Sequence, residues 1–280
     1  MNDIVFVNQT FISKDKATLS IFDRGLLFGD GVYEVIPFYD GKLAFLDKHL
    51  ARLDDSLAFT KITKPSLNLK AMFQQLIDEN GNGDGQLYLQ ITRGNQMARK
   101  HDIPPELTPT VIAFIMRTPF PTELELNKGL SAKLIEDTRW HLCHIKSTSL
   151  LGTILLNDEA VSQGANTAIL HRDGIVTEGS SSNVFIVDKN NTIVTPYASH
   201  HILNGIARQV ILDIIAQLNY SIEVRDIKAE ELYSAQEIWI TGSTKEVFPV
   251  VNLDNKTIPS CYPDALWRSI HKRYHALTRG

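Results

Sequence analysis

The sequence predicts an α+β protein built of two domains. Three observations indicate this class: a length of 280 residues, a composition of 43% hydrophobic and 21% charged residues, and segments of alternating hydrophobicity interspersed with segments of helical period. Because a single domain typically holds about 100–200 residues, this length accommodates two of them. The composition lies within the range of ordinary globular proteins, so a packed core is expected in each domain.

The first part of the chain combines short strands with two helices. Alternating apolar residues predict strands over Ile4–Val7, Thr10–Ser13, Val32–Asp40, Lys42–Leu46, Gln86–Thr92 and Thr110–Met116. Asp40-Gly41 is a dipeptide typical of tight hairpin turns. Leucines at helical spacing predict a helix over Asp47–Thr60, and a second helix is expected over Asn68–Asn80, where Gly81 ends it.

A domain boundary is predicted near residue 120. Arg117–Thr122 contains two prolines in six positions, and proline interrupts both helices and strand ladders. The predicted domains are therefore a smaller one over residues 1–119 and a larger one over residues 120–280.

The second domain repeats the mixture of strands and helices. Strands are predicted over Leu130–Glu136, Thr167–His171, Ile175–Glu178, Asn183–Val187, Thr192–Thr195, Ser221–Asp226, Glu237–Thr241 and Val247–Asn252. An amphipathic helix is expected over Ser147–Gly164, a second one carries Ile206, Val210 and Ile214 on one face, and a third runs from Pro263 to Leu277.

Charge and composition exclude several classes of function. The net charge is −4 and the basic residues are dispersed, which disfavours nucleic-acid binding. No segment approaches the roughly 18 apolar residues of a membrane helix, and Met1–Ile4 does not begin a signal peptide. The two cysteines, Cys143 and Cys261, are interpreted as reduced thiols. A cytoplasmic protein is expected.

Three segments of the second domain are candidate anion sites. Thr177–Asn183 is a run of small polar residues with an acid, Glu178, at its start. Leu203–Arg208 leads into a helix whose first N–H groups lack intrahelical partners, and Thr241–Thr244 ends a strand with glycine and hydroxyl groups. Ordinary turns and helix starts have the same composition, so each segment alone is equally consistent with a solvated loop.

Residues His141, Cys143 and His144 raise the possibility of a metal site or a cysteine nucleophile. Strand alternation would direct His144 away from the other two, and no second cluster in the sequence supplies further ligands. The sequence therefore predicts no metal. Nothing in it places a base beside Cys143, which is interpreted as a partly buried thiol.

Four motifs, in order along nearly the whole chain, resemble the class IV aminotransferases. They are Asp23-Arg24-Gly25 with Phe28–Glu34, Trp140 with Ile145-Lys146-Ser147 and Leu150-Leu151-Gly152, Thr177–Asn183, and Leu203-Asn204-Gly205-Ile206. Composition and spacing alone do not identify Lys146. The resemblance implies a two-domain fold of type IV with pyridoxal 5'-phosphate bound between the domains.

The same resemblance implies a role for individual residues. Lys146 would bind the cofactor covalently and move the proton between substrate and cofactor. Glu178 would face the pyridine nitrogen, Arg52 would pair with the phosphate, and Leu203 would pack beneath the ring. The complete set implied to bind the cofactor is Arg52, Lys146, Glu178, Ser181, Leu203, Gly205, Ile206, Ala207, Ser243 and Thr244.

Within the family, this chain is most similar to the D-amino-acid enzymes. These carry an Arg-x-His pair after Thr-Arg-Gly, and here Thr92-Arg93-Gly94 precedes Arg99 and His101, with a spacing one residue longer. Together with Tyr33, this pair would bind the substrate carboxylate.

The reaction implied is a ping-pong transfer of an amino group between D-amino acids and 2-oxo acids, from D-alanine to 2-oxoglutarate. The family usually forms homodimers in which one chain completes the site of the other. An L-branched-chain aminotransferase and an aminodeoxychorismate lyase on the same fold are the alternatives, together with a non-catalytic binding protein.

Overall fold

A computed structural model of the protein describes residues 3–279. The chain divides into two compact units, Met1–Pro119 with Ile145–Leu150, and Phe120–His144 with Leu151–Gly280. Met1 and Asn2, which belong to the segment considered above as a signal peptide, lie outside the described residues, as does Gly280. Whether the units are independent folding domains over 1–119 and 120–280 stays a prediction, because the segment Ile145–Leu150 belongs to the first unit.

The first unit is built on a six-stranded antiparallel sheet. Its strands are β1 (Ile4–Val7), β2 (Thr10–Ser13), β3 (Gly31–Tyr39), β4 (Lys42–Leu43), β5 (Gly85–Thr92) and β6 (Thr110–Met116). They are ordered β2-β1-β6-β5-β3-β4. Its helices are α1 (Arg24–Phe28), α2 (Leu46–Thr60) and α3 (Leu69–Asn80).

Helices α2 and α3 cover this sheet with the apolar faces that their sequence periodicity predicted. Leu53 and Leu57 of α2 and Phe73 and Leu76 of α3 are at most 2% exposed. Helix α2 contacts β3, while α3 contacts β1 and β6. Fully burying side chains of this size stabilises the fold by about 1.5–3 kcal/mol each, so these positions hold the two helices against the sheet.

Helix α1 escaped the sequence analysis because it is only five residues long. Asp23 caps it by accepting a hydrogen bond from Gly25 N at 2.8 Å. Gly29 ends it with a φ of 66°, a conformation that favours glycine. Two local signals, a cap and a stop, therefore define a helix too short for periodicity to detect.

The second unit contains a mixed nine-stranded sheet. Its strands are β7 (Leu130–Glu136), β8 (Thr167–Arg172), β9 (Ile175–Gly179), β10 (Asn183–Val187), β11 (Ile193–Thr195), β12 (Ile222–Val224), β13 (Glu237–Gly242), β14 (Glu246–Leu253) and β15 (Lys256–Thr257). The order is β12-β11-β10-β13-β14-β7-β8-β9, with β15 beside β14. The pairs β11–β12, β14–β7 and β7–β8 are parallel, and the others are antiparallel.

Within the described residues, four α-helices accompany this sheet, α4 (Glu123–Lys128), α5 (Leu151–Ser162), α6 (Ile206–Gln217) and α7 (Leu266–Arg279), together with a 3₁₀ helix over Ala229–Ser234. Strand β10 is buried at every position, as expected of a central strand. Ile211 and Ile214 of α6 are fully buried, and α6 contacts both β13 and α7. The α+β class with two sheets is thus confirmed. Of the helices formed by residues 3–279, none combines the length and the apolar character that crossing a bilayer requires.

The predicted helix over Ser147–Gly164 is wrong at its start. Helix α5 begins only at Leu151, while Ile145–Leu150 is bonded to the first unit. Thr148 N donates to Gly31 O at 2.9 Å, and Ser147 forms a bridge with Val32. Hydroxyl side chains compete with helical hydrogen bonds, and Thr148 Oγ1 accordingly donates to Gly29 O at 2.9 Å.

Candidate active site

Lys146 is held beside β3 in the first unit by its own backbone. Tyr33 N donates to Lys146 O at 3.0 Å, and Lys146 N donates to Ser56 Oγ at 3.4 Å. The Lys146 Nζ atom lies 4.2 Å from the centre of the Tyr33 ring. An ammonium group over an aromatic face is stabilised by the ring's quadrupole, so Tyr33 restricts where the amine points.

A buried ion pair with a histidine lies in the same unit, between β3 and α2. Arg52 donates to both carboxylate oxygens of Glu34, from Nε at 2.8 Å and from Nη2 at 2.7 Å. His49 Nδ1 lies 2.7 Å from Glu34 Oε2. Burial raises the pKa of Glu34, but Arg52 and then His49 lower it to about 2 overall. Glu34 is therefore ionised, and it fixes the plane of the Arg52 guanidinium.

The predicted carboxylate-binding residues Arg99 and His101 lie on one loop and contact the same ring. The guanidinium of Arg99 is 5.2 Å from the centre of Phe28, and the His101 ring packs edge-on against Phe28 at 5.3 Å. Both residues are exposed. Tyr33, the third member, stacks on Tyr88 at 5.7 Å instead.

Arg24 anchors this loop through the loop's backbone carbonyl groups. Its Nη1 donates to Lys100 O at 2.8 Å and to Asp102 O at 3.3 Å, and its Nη2 donates to His101 O at 3.3 Å. Asp30 accepts from Arg24 Nε at 2.7 Å. Arg24 was missed as a site residue, although the Asp23-Arg24-Gly25 motif contained it, because a motif does not say which segment its side chain holds.

In the second unit, Glu178 lies near the end of β9 and is 5% exposed. It accepts hydrogen bonds from Arg139 Nη1 at 2.8 Å and from Leu203 N at 3.0 Å. Arg139 is shared, because its Nη2 donates to Asp137 Oδ2 at 2.8 Å. Burial raises the pKa of Glu178 to about 7, although Arg139 opposes the rise. Asp137 and Arg139, which precede the Trp140 motif, were not predicted as site residues from the sequence.

The candidate anion loops meet near the start of α6. Gly205 is the N-cap of α6, and no side chain caps the helix, so the first N–H groups at Ile206 and Ala207 can serve a ligand. Asn183 donates to Leu203 O at 2.8 Å, and a Cβ at position 205 would collide with Asn183 Oδ1. Glycine therefore fits at this helix start where a larger residue would displace Asn183.

Ser243 and Thr244 follow the end of β13 at Gly242. A Cβ at Gly242 would lie 3.5 Å from the carbonyl oxygen of Ser181, which brings the Thr177–Asn183 loop and this turn together. Lys245 comes next, is half-buried, and has a pKa lowered by burial. Lys245 was not predicted as a site residue, although it directly follows the glycine-hydroxyl run.

Two buried hydroxyl groups beside these loops have no hydrogen-bond partner among residues 3–279: Ser182 Oγ and Thr241 Oγ1. Such groups are costly unless a ligand or water satisfies them. Helical N–H groups at an uncapped start, hydroxyls and a partly buried lysine suit a phosphate, and a buried carboxylate suits a protonated ring nitrogen. The residues of this unit thus fit the cofactor that the sequence resemblance implies.

The environment of Cys143 does not suit a nucleophile. Its Sγ donates to Trp140 O at 3.1 Å, and burial raises the pKa of its thiol to about 11. A thiol this weakly acidic carries little thiolate near neutral pH. It therefore acts as a buried apolar group with one local hydrogen bond.

Comparison with known proteins defines the class to which this fold and these residues belong. The family model "Amino-transferase class IV" matches residues 31–253, and the chain belongs to that family. Class IV aminotransferases depend on pyridoxal phosphate, and this chain is accordingly a transaminase that uses that cofactor.

Individual proteins that this chain resembles include two D-alanine aminotransferases and one branched-chain aminotransferase of known structure. The chain is 41% identical to the D-alanine aminotransferase of Bacillus licheniformis, over 95% of this chain and 94% of that protein. It is 39% identical to the D-alanine aminotransferase of Listeria innocua, over 89% and 87% of the two chains. It also resembles the branched-chain amino acid aminotransferase of Escherichia coli, with a TM-score of 0.87, 21% identity and coverage of 100% and 95%. The structural likeness at this identity concerns the fold alone.

Proposed function

We propose that this protein transfers amino groups between D-amino acids and 2-oxo acids, with D-alanine and 2-oxoglutarate giving pyruvate and D-glutamate. The observation that carries the proposal is the Arg99 and His101 pair, held on a loop whose carbonyl groups accept from Arg24. The 41% identity to a D-alanine aminotransferase supports the same function.

The cofactor, when bound, withdraws electrons from the substrate α-carbon and so makes its proton acidic. We assign the movement of that proton to the Lys146 amine, whose direction Tyr33 restricts. The Glu178 carboxylate would accept a hydrogen bond from the protonated ring nitrogen, because a cationic partner would stabilise its buried negative charge.

The phosphate ligands are assigned as the family resemblance implies. Arg52 supplies a guanidinium whose plane Glu34 fixes. In the second unit, Gly205, Ile206 and Ala207 supply backbone N–H groups. Ser181, Ser243 and Thr244 add hydroxyl and backbone donors, and Leu203 packs against the ring face.

A homodimer is proposed as the active species. Helix α5 exposes Leu151, Ile154 and Leu155 at 70%, 58% and 59%, which is more apolar surface than a lone helix usually leaves to water. Arg99 and His101 are exposed and therefore available to complete the site of a second copy. Sedimentation of the active enzyme as a monomer would contradict this part of the proposal. A cytoplasmic location is also proposed, supported by two unpaired cysteines.

The function is tested by comparing D-alanine and L-alanine as donors to 2-oxoglutarate in a coupled assay. We expect D-alanine to be the good donor. Preference for L-leucine or L-valine would replace the proposal with the branched-chain alternative, and release of pyruvate from aminodeoxychorismate would support the lyase. Borohydride reduction followed by peptide mapping should find the cofactor on Lys146, and label on a different lysine would remove that assignment.

The substrate carboxylate site is tested by Arg99→Ala. Removing a charge-assisted hydrogen bond should lower kcat/KM for D-alanine on the order of 10²-fold. Lys100→Ala is the matched control, because Lys100 is an exposed cation on the same loop whose backbone contact with Arg24 survives the substitution. A nearly neutral Arg99→Ala with D-alanine still preferred would mean that other residues bind the carboxylate.

A further inference from the structure

Three histidines of the second unit lie together although the sequence separates them. His141 belongs to the segment between β7 and α5, and His200 and His201 belong to the segment before α6. Cys143 N donates to His200 O at 2.8 Å, which ties the two segments by their backbones. The ring centres of His141 and His201 are 5.2 Å apart, and those of His200 and His201 are 4.0 Å apart.

The nitrogen atoms of these rings converge. One ring nitrogen from each histidine lies within 4.8 Å of the other two. Arg172 Nη1 is 3.2 Å from His141 Nδ1 and also donates to His201 Nδ1. Because a guanidinium has only donors, both Nδ1 atoms must direct an unprotonated lone pair at it. Two imidazole lone pairs thus already share one cation.

We propose that His141, His200 and His201 form a binding site for a late first-row divalent cation of the Zn²⁺ and Ni²⁺ class. Neutral imidazole is a side chain that suits these metals, and three such ligands leave a further coordination position for water. Metal–nitrogen bonds of about 2.0–2.1 Å require the nitrogens to be about 3.3 Å apart. The rings of His141 and His200 are exposed and can rotate to close this difference.

Arg172 competes with the metal for the histidine nitrogens. The rest of its guanidinium is held by other partners, so it can release the histidines and stay bound. Its Nη2 donates to Arg139 O at 3.0 Å and lies 3.5 Å from Asp137 Oδ1. Its Nε donates to Asp137 O at 3.3 Å. Only Nη1 has to leave the histidines. Metal affinity should therefore increase when the guanidinium is removed, which a chance cluster of surface histidines would not do.

The experiment is titration of the untagged holoenzyme with ZnCl₂ by calorimetry, repeated with CoCl₂ by visible absorbance. We expect one saturable site per chain. His141→Gln and His201→Gln should each weaken binding about 100-fold or more, because a ligand is lost. Arg172→Gln should strengthen it about tenfold, because a charge-assisted hydrogen bond no longer competes.

A matched control is His275→Gln. His275 is an exposed histidine on α7 whose ring lies 6.0 Å from that of His271. Its substitution should leave the affinity unchanged. Cofactor absorbance and circular dichroism verify that each variant is folded and loaded.

Three results would overturn the proposal. They are an absence of saturable binding by the wild type, an affinity unaffected by both His141→Gln and His201→Gln, and a loss of binding caused by His275→Gln. A weaker rather than tighter site in folded Arg172→Gln would remove Arg172 as the competitor and contradict the stated geometry.

Discussion

Each unit of the molecule buries a glutamate beside an arginine, and the two glutamates differ in their affinity for protons. Glu34 in the first unit is 1% exposed and Glu178 in the second is 5% exposed. Each accepts from an arginine at 2.8 Å. Yet the pKa of Glu34 is lowered to about 2, whereas that of Glu178 is raised to about 7, with burial acting to raise both.

The charges of the partners explain the difference, and not the number of hydrogen bonds, since Glu178 also accepts from Leu203 N and Asn183 Nδ2. Arg52 donates two hydrogen bonds to Glu34, and His49 adds a third contact. Arg139 donates one to Glu178 and divides its charge with Asp137, whose own charge raises the pKa of Glu178 further. Glu34, which has an arginine to itself, is fully neutralised and serves to position that arginine. Glu178, which shares its arginine with Asp137, can still accept a further cationic partner. That second condition is what a residue facing a protonated ring nitrogen requires.

The largest effect is expected from Glu34→Gln on stability. Removing the carboxylate of a buried ion pair leaves the Arg52 charge without its counterion and should cost about 3–5 kcal/mol in the free energy of unfolding. Urea denaturation of the apoprotein measures this cost. Glu79→Gln is the control, since Glu79 is exposed and accepts from Gln75, and should change stability by about 0.5 kcal/mol at most. A cost for Glu34→Gln no larger than the control's would break the comparison.

The second largest effect is expected from Glu178→Gln on the rate of transamination. The variant should bind the cofactor but transaminate on the order of 10²-fold more slowly, because an amide cannot hold the ring nitrogen protonated. Cofactor absorbance and steady-state turnover measure the two properties separately. Glu237→Gln is the control, because Glu237 is a buried carboxylate of the same unit that instead binds Tyr262 and the start of α7. Near-normal turnover by Glu178→Gln would remove the proposed role.

A smaller effect is an opposite dependence of stability on pH. The folded pKa of Glu34 lies below the ordinary 4.5, so its stabilisation is present above pH 4.5 and lost as the pH falls toward 2. The folded pKa of Glu178 lies above 4.5, so in the apoprotein its contribution is present below pH 4.5 and lost as the pH rises through 7.

Each stability difference between wild type and the matching glutamine variant should change by about 1–3 kcal/mol across its window. Denaturation of the three apoproteins between pH 3 and about 8 measures both slopes. Slopes of the same sign would refute the contrast between the two glutamates.

The smallest effect is expected from Asp137→Asn. Removing this charge leaves Arg139 to Glu178 and should lower the pKa of Glu178, which moves the acidic limb of the pH–rate profile to lower pH while turnover at its plateau changes by less than about tenfold. Asp173→Asn is the control, since Asp173 is an exposed turn residue with a positive φ that asparagine also adopts. An unmoved acidic limb would mean that Asp137 does not govern Glu178.

Much of the fold could be predicted because strands and helices produce a hydrophobic periodicity within short segments of the sequence. Most strands of the two sheets and helices α2, α3 and α6 have periods visible in short windows, and the structure confirms them, whereas β15 was not predicted and β4 is shorter than predicted. Two helix predictions failed for local reasons. Helix α1 is too short to show a period, and at the wrongly predicted start of α5 Thr148 donates its hydroxyl hydrogen bond to Gly29 O.

The candidate cofactor site was predicted for a different reason. Chemistry alone indicated three anion loops and left an ordinary turn as an equal interpretation, and only the resemblance to a family distinguished Lys146 from other lysines. The loop that carries Arg99 could not be placed from its length alone, because its backbone is held by hydrogen bonds from Arg24, which lies far away in the sequence.

By itself, then, the sequence determined the fold class, most of the strands and helices, and the family to which the chain belongs. Tertiary structure alone decided which charges share a partner: Arg52 with Glu34, Arg139 with both Asp137 and Glu178, and Arg172 with His141 and His201. The reason is physical. Periodicity depends on neighbours within a few residues, whereas all of these contacts except that of Arg139 with Asp137 join positions 18 to 39 residues apart, whose approach is decided by strand order and loop path.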